Sequence, residues 1–462
     1  MIRLFKHYVP HAVLLLGLLD FALLLCAAEA GWVLRARQIG MDVDYVMNRI
    51  GPLSSFAIAL QVAMIAVGVY GTEALQSLRF AIARLLVAVS LGVLFLSVMH
   101  FLLPEMTLWR SNSLYAMGLS FVFLLAVRIM LGSMLGGEAF KRRLIVLGAG
   151  PRADRIRQLE ARKGAGFLVV GYIGMNDGPQ LIPEAINRSA IYNLSDFVVR
   201  LGASEVILAL EERRNAIPMA DLLRIKTTGV HVNDLSTFLE RETGRVDLDS
   251  VNPSWLIFSD GFSASRRLSS IGKRLFDIAA SSALLMLTGP VIALAAILVK
   301  MDSKGPAFYR QQRVGLFGQE FWITKLRTMR QDAEVAGQAQ WAEKDDPRIT
   351  RLGYWLRKLR IDELPQTWTV LKGEMSFVGP RPERRQFVDD LVQHLRYYAE
   401  RHMVKPGITG WAQINYPYGA SIEDSRNKLE YDLYYAKNYT PFLDLLILIQ
   451  TVRVILWPEG AR

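Results

Sequence analysis

Four apolar blocks fill the first third of this chain, at about residues 10–29, 51–70, 81–103 and 113–132. Each approaches the roughly 20 residues that carry a helix across a bilayer. The pattern predicts four transmembrane helices over residues 1–140, with the lipid bilayer as a partner. The first block is not an ordinary cleaved leader, because it is long, contains Asp20 and is followed by further spans. Arg35, Arg37, Arg49, Arg79 and Arg110 lie in the connectors, and Lys141, Arg142 and Arg143 follow the fourth block. An even number of spans returns the chain to the side it started from. The basic run after the fourth block marks that side as the cytoplasm.

The charge balance agrees with a membrane setting. The net charge is +11, and apolar residues make up 52% of the chain. Mean hydropathy is +0.22 and the pI is about 9.6. Basic surface beside apolar blocks suits an anionic membrane and phosphorylated substrates. No finger or other nucleic-acid motif is present, so nucleic acid is not an expected partner. Cys26 is the single cysteine, which excludes an intrachain disulfide and a cysteine-based zinc site. The six histidines show no ligand spacing; His7 and His11, the closest pair, read as membrane-interface residues.

Residues 141–265 change character. Arg143–Gly150 reads as a strand entering a glycine turn. Strands at Phe167–Ile173, Glu205–Leu210 and Val230–Val232 alternate with helices, one of them capped by Ser195 and ending at Leu201, another at Met219–Thr228. This alternation predicts a Rossmann-like parallel α/β module. Gly148-x-Gly150-x-x-Ala153 fits a permissive dinucleotide fingerprint, but no acid closes the second strand; Asp177 falls in a loop beyond it. A module that binds a dinucleotide and one that binds none both remain open. Residues 237–272 read as a linker with some structure.

A fifth apolar block, residues 278–299, carries Gly289-Pro290 at its middle. Proline removes a helical hydrogen bond and favours a kink. Ser281, Ser282 and Thr288 are candidates to satisfy the freed backbone groups. Lys273 and Arg274 precede the block, and Lys300, Lys304, Arg310 and Arg313 follow it. Basic flanks at both ends favour a re-entrant helix hairpin over a fifth span.

The third region, residues 266–462, carries the chemistry. Gly315 and Gly318 mark a turn between short strands, and the spacing of Lys325 and Arg327 places them on one strand face. Thr350 is a candidate helix cap. The run Arg357-Lys358-Leu359-Arg360-Ile361-Asp362-Glu363-Leu364-Pro365-Gln366 then sets two adjacent carboxylates after three cations. Within a regular helix such neighbours point about 100° apart. Pro365 disfavours helical geometry at Leu364, so a break just after the pair would let the acids converge. Two close carboxylates repel; arginines or a divalent cation keep both ionised. An ionised Asp is a nucleophile toward phosphorus, and hard carboxylate oxygens suit Mg²⁺. Alone, the dipeptide reads as a surface salt bridge. Arg381, locked between Pro380 and Pro382, adds a preorganised phosphate fork. Val404–Asn415 adds a glycine-rich turn with one cation, Lys405, and one aromatic, Trp411.

Lys273-Arg274-x-Phe276-Asp277, Gln312–Gly315, Lys325-x-Arg327-Thr328-Met329, Arg360–Gln366, Val378–Glu383 and Lys405–Gln413 follow one another in this order. Together they resemble the bacterial sugar transferase family, the polyprenyl-phosphate glycosyl-1-phosphate transferases, over about residues 268–462. The four spans and the module resemble its long form. Thr369 stands where the family usually has Asn, and Gly289 where Ser is common. The resemblance implies a mostly helical catalytic domain that passes a sugar-1-phosphate from a UDP-sugar to undecaprenyl phosphate and releases UMP. In that scheme Asp362 is the nucleophile and Glu363 helps to bind Mg²⁺. Arg381 is the leading phosphate clamp, with Lys325, Arg327, Arg357, Arg360 and Lys405 behind it. Lys273, Arg274 and Pro290 set the membrane hairpin. The setting implied is the bacterial cytoplasmic membrane with the globular parts inside, and a homodimer is compatible. A nucleotide-sugar epimerase or dehydratase is the main rival, but its usual Tyr-x-x-x-Lys pair occurs here only as Tyr354 and Lys358, far from the glycine turn. A non-catalytic membrane scaffold is the other. The apolar tail Leu443–Trp457 is short for a span and reads as an interfacial helix.

Overall fold

The computed structural model describes residues 2–4, 7–9, 11–42, 45–70, 78–135, 141–162, 165–175, 180–211, 218–251, 267–330, 348–417, 419 and 421–456. The chain divides into two compact units, with the change between Thr243 and Gly244. That point lies inside the expected linker. The expected 265/266 boundary, residues 136–140, Asp177 and Trp457 fall outside the described residues.

After a short N-terminal strand pair, the first unit has four long helices: α1 (His11–Gln38), α2 (Ile50–Val67), α3 (Leu78–Leu102) and α4 (Arg110–Leu135). All four are long and apolar enough to cross a bilayer. They pack through Leu24, Phe56, Leu60, Leu85, Ala116 and Leu124. Gly31 allows α1 to meet α4 closely, since a Cβ there would stand 2.7 Å from the Ala116 nitrogen. Asp20, the charge inside the first apolar block, is fully buried. Arg128 grips both its oxygens, at 3.1 and 2.7 Å, and the Tyr70 hydroxyl donates to it at 2.8 Å. A charge at this depth needs such partners.

The α/β module follows, with β1 (Arg142–Leu147), α5 (Pro151–Glu160), β2 (Phe167–Gly174), β3 (Ile186–Asn187), α6 (Leu194–Arg200), β4 (Glu205–Leu208), α7 (Met219–Thr227), β5 (His231–Asp234) and α8 (Leu235–Thr243). The sheet is parallel with order β3-β2-β1-β4-β5. Its central strand β1 is buried on both faces, which is why Leu144–Leu147 reads as an unbroken apolar run. One cap differs from expectation. Asn193, not Ser195, caps α6, its side-chain oxygen accepting from the amides of Ser195 and Asp196. Ser195 sits one residue inside the helix.

In the second unit, α9 (Arg267–Asp302) is one helix of 36 residues that continues through Pro290. Ser281 donates to the carbonyls of Asp277 and Ile278, and Thr288 to that of Leu284. None of these is Met286, whose carbonyl Pro290 leaves without its amide. The two serve their own local turns, because a Ser or Thr hydroxyl reaches back only three or four residues. Next come an antiparallel hairpin, β6 (Phe308–Val314) and β7 (Glu320–Leu326), then helices α10 (Arg351–Lys358) and α11 (Gln366–Lys372). Strand β8 (Ser376–Val378) pairs in parallel with β9 (Gly407–Thr409), with α12 (Arg385–His394) between them in sequence. The unit ends with α13 (Trp411–Asn415), α14 (Ile422–Asn438) and α15 (Pro441–Leu456). The tail is not merely interfacial. Leu443 and Ile447 of α15 lie fully buried in a core with Trp411, Leu433, Tyr434 and Tyr435.

Candidate active site

Asp362 and Glu363 lie in a single helical turn, Ile361–Glu363, between α10 and α11. The break that frees them comes before the pair. Arg360 adopts φ 57°, ψ 18°, a left-handed conformation that L residues avoid, and this ends α10. Leu364 and Pro365 are both helical, so Pro365 starts α11 and does not force Leu364 out of helical geometry. Proline tolerates that place because the first turn needs no amide donor.

α10 is fixed at its other end by Thr350, whose hydroxyl accepts from the Gly353 amide at 2.9 Å. Gly353 presses on the extended segment that follows β7: a Cβ there would stand 2.1 Å from the Thr328 carbonyl oxygen. Arg357 reaches the Thr328 hydroxyl at 2.9 Å.

The two acids are treated differently by their surroundings. Glu363 Oε1 accepts from Lys325 Nζ at 2.8 Å and Arg381 Nη2 at 3.2 Å, while Arg360 stands 3.8 Å from Oε2. Burial alone would raise the Glu363 pKa. Lys325 and Arg381 outweigh it, with help from Arg360, and hold the carboxyl well below the usual range. Asp362 is also buried, yet its Oδ1 has no hydrogen-bond partner. Burial and the Glu363 charge push its pKa up, against Lys325, Arg357 and Arg360. Lys325 itself is pushed down by burial, and Glu363 counteracts this.

Arg381 projects from a loop whose carbonyls are all held. Pro380 accepts from the Gly407 amide at 2.9 Å, Arg381 from Arg401 Nη2 at 2.9 Å, Pro382 from Arg313 at 3.2 Å and Glu383 from the Val314 amide at 2.9 Å. The guanidinium is thus carried by a fixed backbone, as its two prolines lead one to expect.

Of the expected phosphate-binding residues, Arg327 and Lys405 lie with the two ends of α9, and Lys273 and Arg274, expected to set the membrane hairpin, lie at its start. Strand β7 ends at Leu326, so Arg327 does not share the face of Lys325. Its buried guanidinium donates to the carbonyls of Val299, Ser303 and Lys304, at the C-terminal end of α9. Lys273 bonds Asp444 at 2.6 Å, Tyr435 at 3.1 Å and the Val378 carbonyl at 3.1 Å. Arg274 donates to the carbonyls of Val370 and Leu371 at the end of α11. Asp277 beside them accepts from Ser376 and the Phe377 amide. Lys405 is half-buried. Burial lowers its pKa, as do Arg274 and Lys273, against Asp277, which places it with the first turns of α9. Pro290 lies in the exposed middle of that helix.

Arg401 was not singled out by sequence. Its partner Asp432 lies 31 residues away on α14, and no local pattern connects them.

Among the described residues no three His, Cys, Asp or Glu side chains gather as a metal cage. Mg²⁺ asks for less, since one or two carboxylates plus substrate phosphates and water suffice. Asp362 Oδ1 and Glu363 Oε2 lie outside the hydrogen bonds to Lys325 and Arg381, and fit that requirement.

The glycine turn after β1 leads into a helix start that meets a carboxylate of the chain itself. Gly148 takes φ 129° against the Ala209 carbonyl. At the start of α5, the Arg152 amide donates to Glu211 Oε1 at 2.9 Å. The chain's own carboxylate thus lies at a helix N-terminus, the kind of place that receives a pyrophosphate in dinucleotide folds.

Comparison with known proteins gives the family. Residues 268–458 match the family described as bacterial sugar transferase. The chain is 31% identical over 333 residues to the UDP-glucose:undecaprenyl-phosphate glucose-1-phosphate transferase of Escherichia coli (strain K12), covering 69% of this chain and 68% of that protein. It therefore belongs to the bacterial sugar transferase family. It is 42% identical over 241 residues to the UDP-N-acetylgalactosamine-undecaprenyl-phosphate N-acetylgalactosaminephosphotransferase of Aeromonas hydrophila, covering 52% of this chain and 56% of that one. It is 41% identical over 194 residues to the undecaprenyl-phosphate glucose phosphotransferase of Komagataeibacter xylinus, covering 41% of this chain. The matched part spans about half of the Aeromonas relative (56%) and about a third of the Komagataeibacter one (36%).

Proposed function

We propose that this protein transfers a sugar-1-phosphate from a UDP-sugar to undecaprenyl phosphate, releasing UMP, through a covalent intermediate on Asp362. The observation that carries the reading is the asymmetry of the acid pair. Glu363 is neutralised by Lys325 and Arg381, while Asp362 keeps an unpaired Oδ1 beside it. The relatives' names supply the substrates. In the first step an Asp362 oxygen bonds to the β-phosphorus, the bond from that phosphorus to the bridging oxygen breaks, and UMP leaves with that oxygen. A phosphate oxygen of undecaprenyl phosphate then attacks the same phosphorus. The acyl-phosphate bond breaks and returns the carboxylate. Arg381 clamps a diphosphate oxygen, with Lys325 and Arg360 as the other cations against Glu363. Asp362 and Glu363 hold Mg²⁺, which when bound offsets the charge of the phosphates and keeps Asp362 ionised.

The same reading makes α9 a re-entrant membrane helix, bent about Pro290 so that it dips in and returns, with the catalytic unit on the cytoplasmic face of a bacterial inner membrane. Both ends of α9 are bonded to the one unit, through Lys273 and Arg274 at the start and Arg327 at the end. Between them Met286, Leu287 and Leu294 are exposed and apolar. A helix that crossed the bilayer would separate its ends. The product suits the first membrane step of exopolysaccharide, O-antigen or capsule assembly.

The test of the chemistry is Asp362→Asn with a panel of UDP-sugars. UMP release and the phospho-sugar adduct should both vanish; an active Asn variant refutes the nucleophile. For the hairpin, cysteines at positions 268 and 304 should be labelled from the same side, and labelling from opposite sides refutes it.

A further inference from the structure

We infer that Arg401 is the positioning residue that fixes Arg381 over Glu363, an inference that rests on the reading of Arg381 as a phosphate clamp. Arg401 is buried between three elements. Its Nε and Nη2 donate to Asp432 Oδ2 on α14 at 3.0 and 2.7 Å. Its Nη1 donates to the Tyr398 hydroxyl at 3.0 Å. Its Nη2 also donates to the Arg381 carbonyl at 2.9 Å. One rigid guanidinium therefore ties the Arg381 backbone to a buried carboxylate on a long helix. The planar fork makes this possible; a lysine has a single point of attachment and cannot span all three partners.

The Arg381 loop needs such a tie. Pro380 and Pro382 carry no amide hydrogen, so the loop is held through its carbonyls. The tie at Arg381 is made to the residue whose side chain does the clamping. At its other end that side chain is partly exposed and reaches Glu363 Oε1 at 3.2 Å. A small shift of the Arg381 backbone would be carried outward along a long side chain to the place where a phosphate is held. Asp432 keeps Arg401 in place, so its role is to hold the holder. Neither residue touches the reacting atoms.

The experiment is a double-mutant cycle in the full chain, using Arg401→Lys, Arg381→Ala and the two combined. The probe is UDP with Mg²⁺, followed by calorimetric titration, with UMP release from a UDP-sugar measured in parallel. Arg401→Lys keeps the charge beside Asp432 and should stay folded at the assay temperature, as melting will check. It should weaken UDP binding about tenfold, the effect of one lost charge-assisted hydrogen bond. On the Arg381→Ala background it should change affinity by less than about twofold, because the group it positions is gone. Should Arg401→Lys melt early, Arg401→Met with Asp432→Leu removes both charges together and leaves neither buried alone. The same non-additivity is expected of it. Equal weakening in both backgrounds overturns the proposal, since Arg401 would then act on the fold at large. A wild type whose UDP affinity ignores Arg381→Ala also overturns it. A wild type that binds UDP through Arg381 but releases no UMP sinks the transferase reading alone and leaves the cycle readable.

Discussion

Replacing Lys325 by Met removes the shorter of the two bonds to Glu363 Oε1, at 2.8 Å, and keeps most of the side-chain volume. Lys325 and Glu363 are 22% and 13% exposed, so screening by solvent is limited. Taking one partner from a buried pair costs about 3–5 kcal/mol. The low end applies here, about 3 kcal/mol. Arg381 still holds the same oxygen at 3.2 Å, and Lys325 takes its own desolvation penalty with it. For a unit of about 200 residues this lowers the melting temperature by about 6–12 °C. The sign with pH follows from Glu363. Its folded pKa lies below the unfolded value of about 4.3, so its contribution is present above that value and is lost as pH falls through the folded one. Loss of Lys325 raises the folded pKa. The deficit of the variant should therefore be full at neutral pH and shrink on acidification, first as Glu363 of the variant takes up its proton. The assay is tryptophan-monitored melting of the full chain in nanodiscs at a series of pH values. A deficit that is the same at neutral and at acid pH would refute the assignment of the loss to Glu363.

Arg327→Met should lower stability by about 2 kcal/mol through the unpaired carbonyls at the end of α9, while leaving UDP affinity unchanged; melting and calorimetric titration separate the two effects. Gly353→Ala should destabilise by about 1–3 kcal/mol, read as a lower denaturant midpoint, because its Cβ would meet the Thr328 carbonyl oxygen at 2.1 Å. Turnover should fall on acidification as Asp362, whose pKa is raised by burial and Glu363, takes up a proton. Arg357→Met removes a cation that opposes this rise, so the acid limb of kcat/KM should move to higher pH.

Much of the architecture was legible because it depends on periodicity and length. The four apolar blocks became α1–α4, with most ends shifted by a few residues and the first helix running on to Gln38, and alternating strands and helices became the parallel sheet. What escaped depends on contacts distant in sequence or on conformations with no residue signature. A left-handed turn is usually marked by glycine, but here Arg360 adopts it, so the break was sought at Pro365 instead. Lys325 and Arg327 have strand spacing, yet the strand ends between them, and their side chains serve different ends of the unit. Glu211 could not be read as the partner of the Arg152 amide, because the two are joined only by the fold.

The placement of the acid pair shows why adjacency in sequence was informative here and is usually not. Two neighbouring carboxylates of equal standing would share a proton and neither would serve as a nucleophile at its best. The turn after Arg360 gives them unequal neighbours. Glu363 takes Lys325 from the hairpin and Arg381 from the proline-flanked loop, two elements that the chain builds 38 residues before and 18 residues after it. Asp362 receives no hydrogen bond on Oδ1 and only the more general influence of Lys325, Arg357 and Arg360. Glu363 thereby carries a fixed charge that organises the cations, and Asp362 retains the oxygen able to form a bond. On the proposed reaction, Asp362 and Glu363 would hold a divalent cation bound with the phosphates, and its charge would favour the ionised form of Asp362. On this argument an isolated Asp-Glu dipeptide has no such capacity; the left-handed residue before it and the two cations on the second acid create the difference.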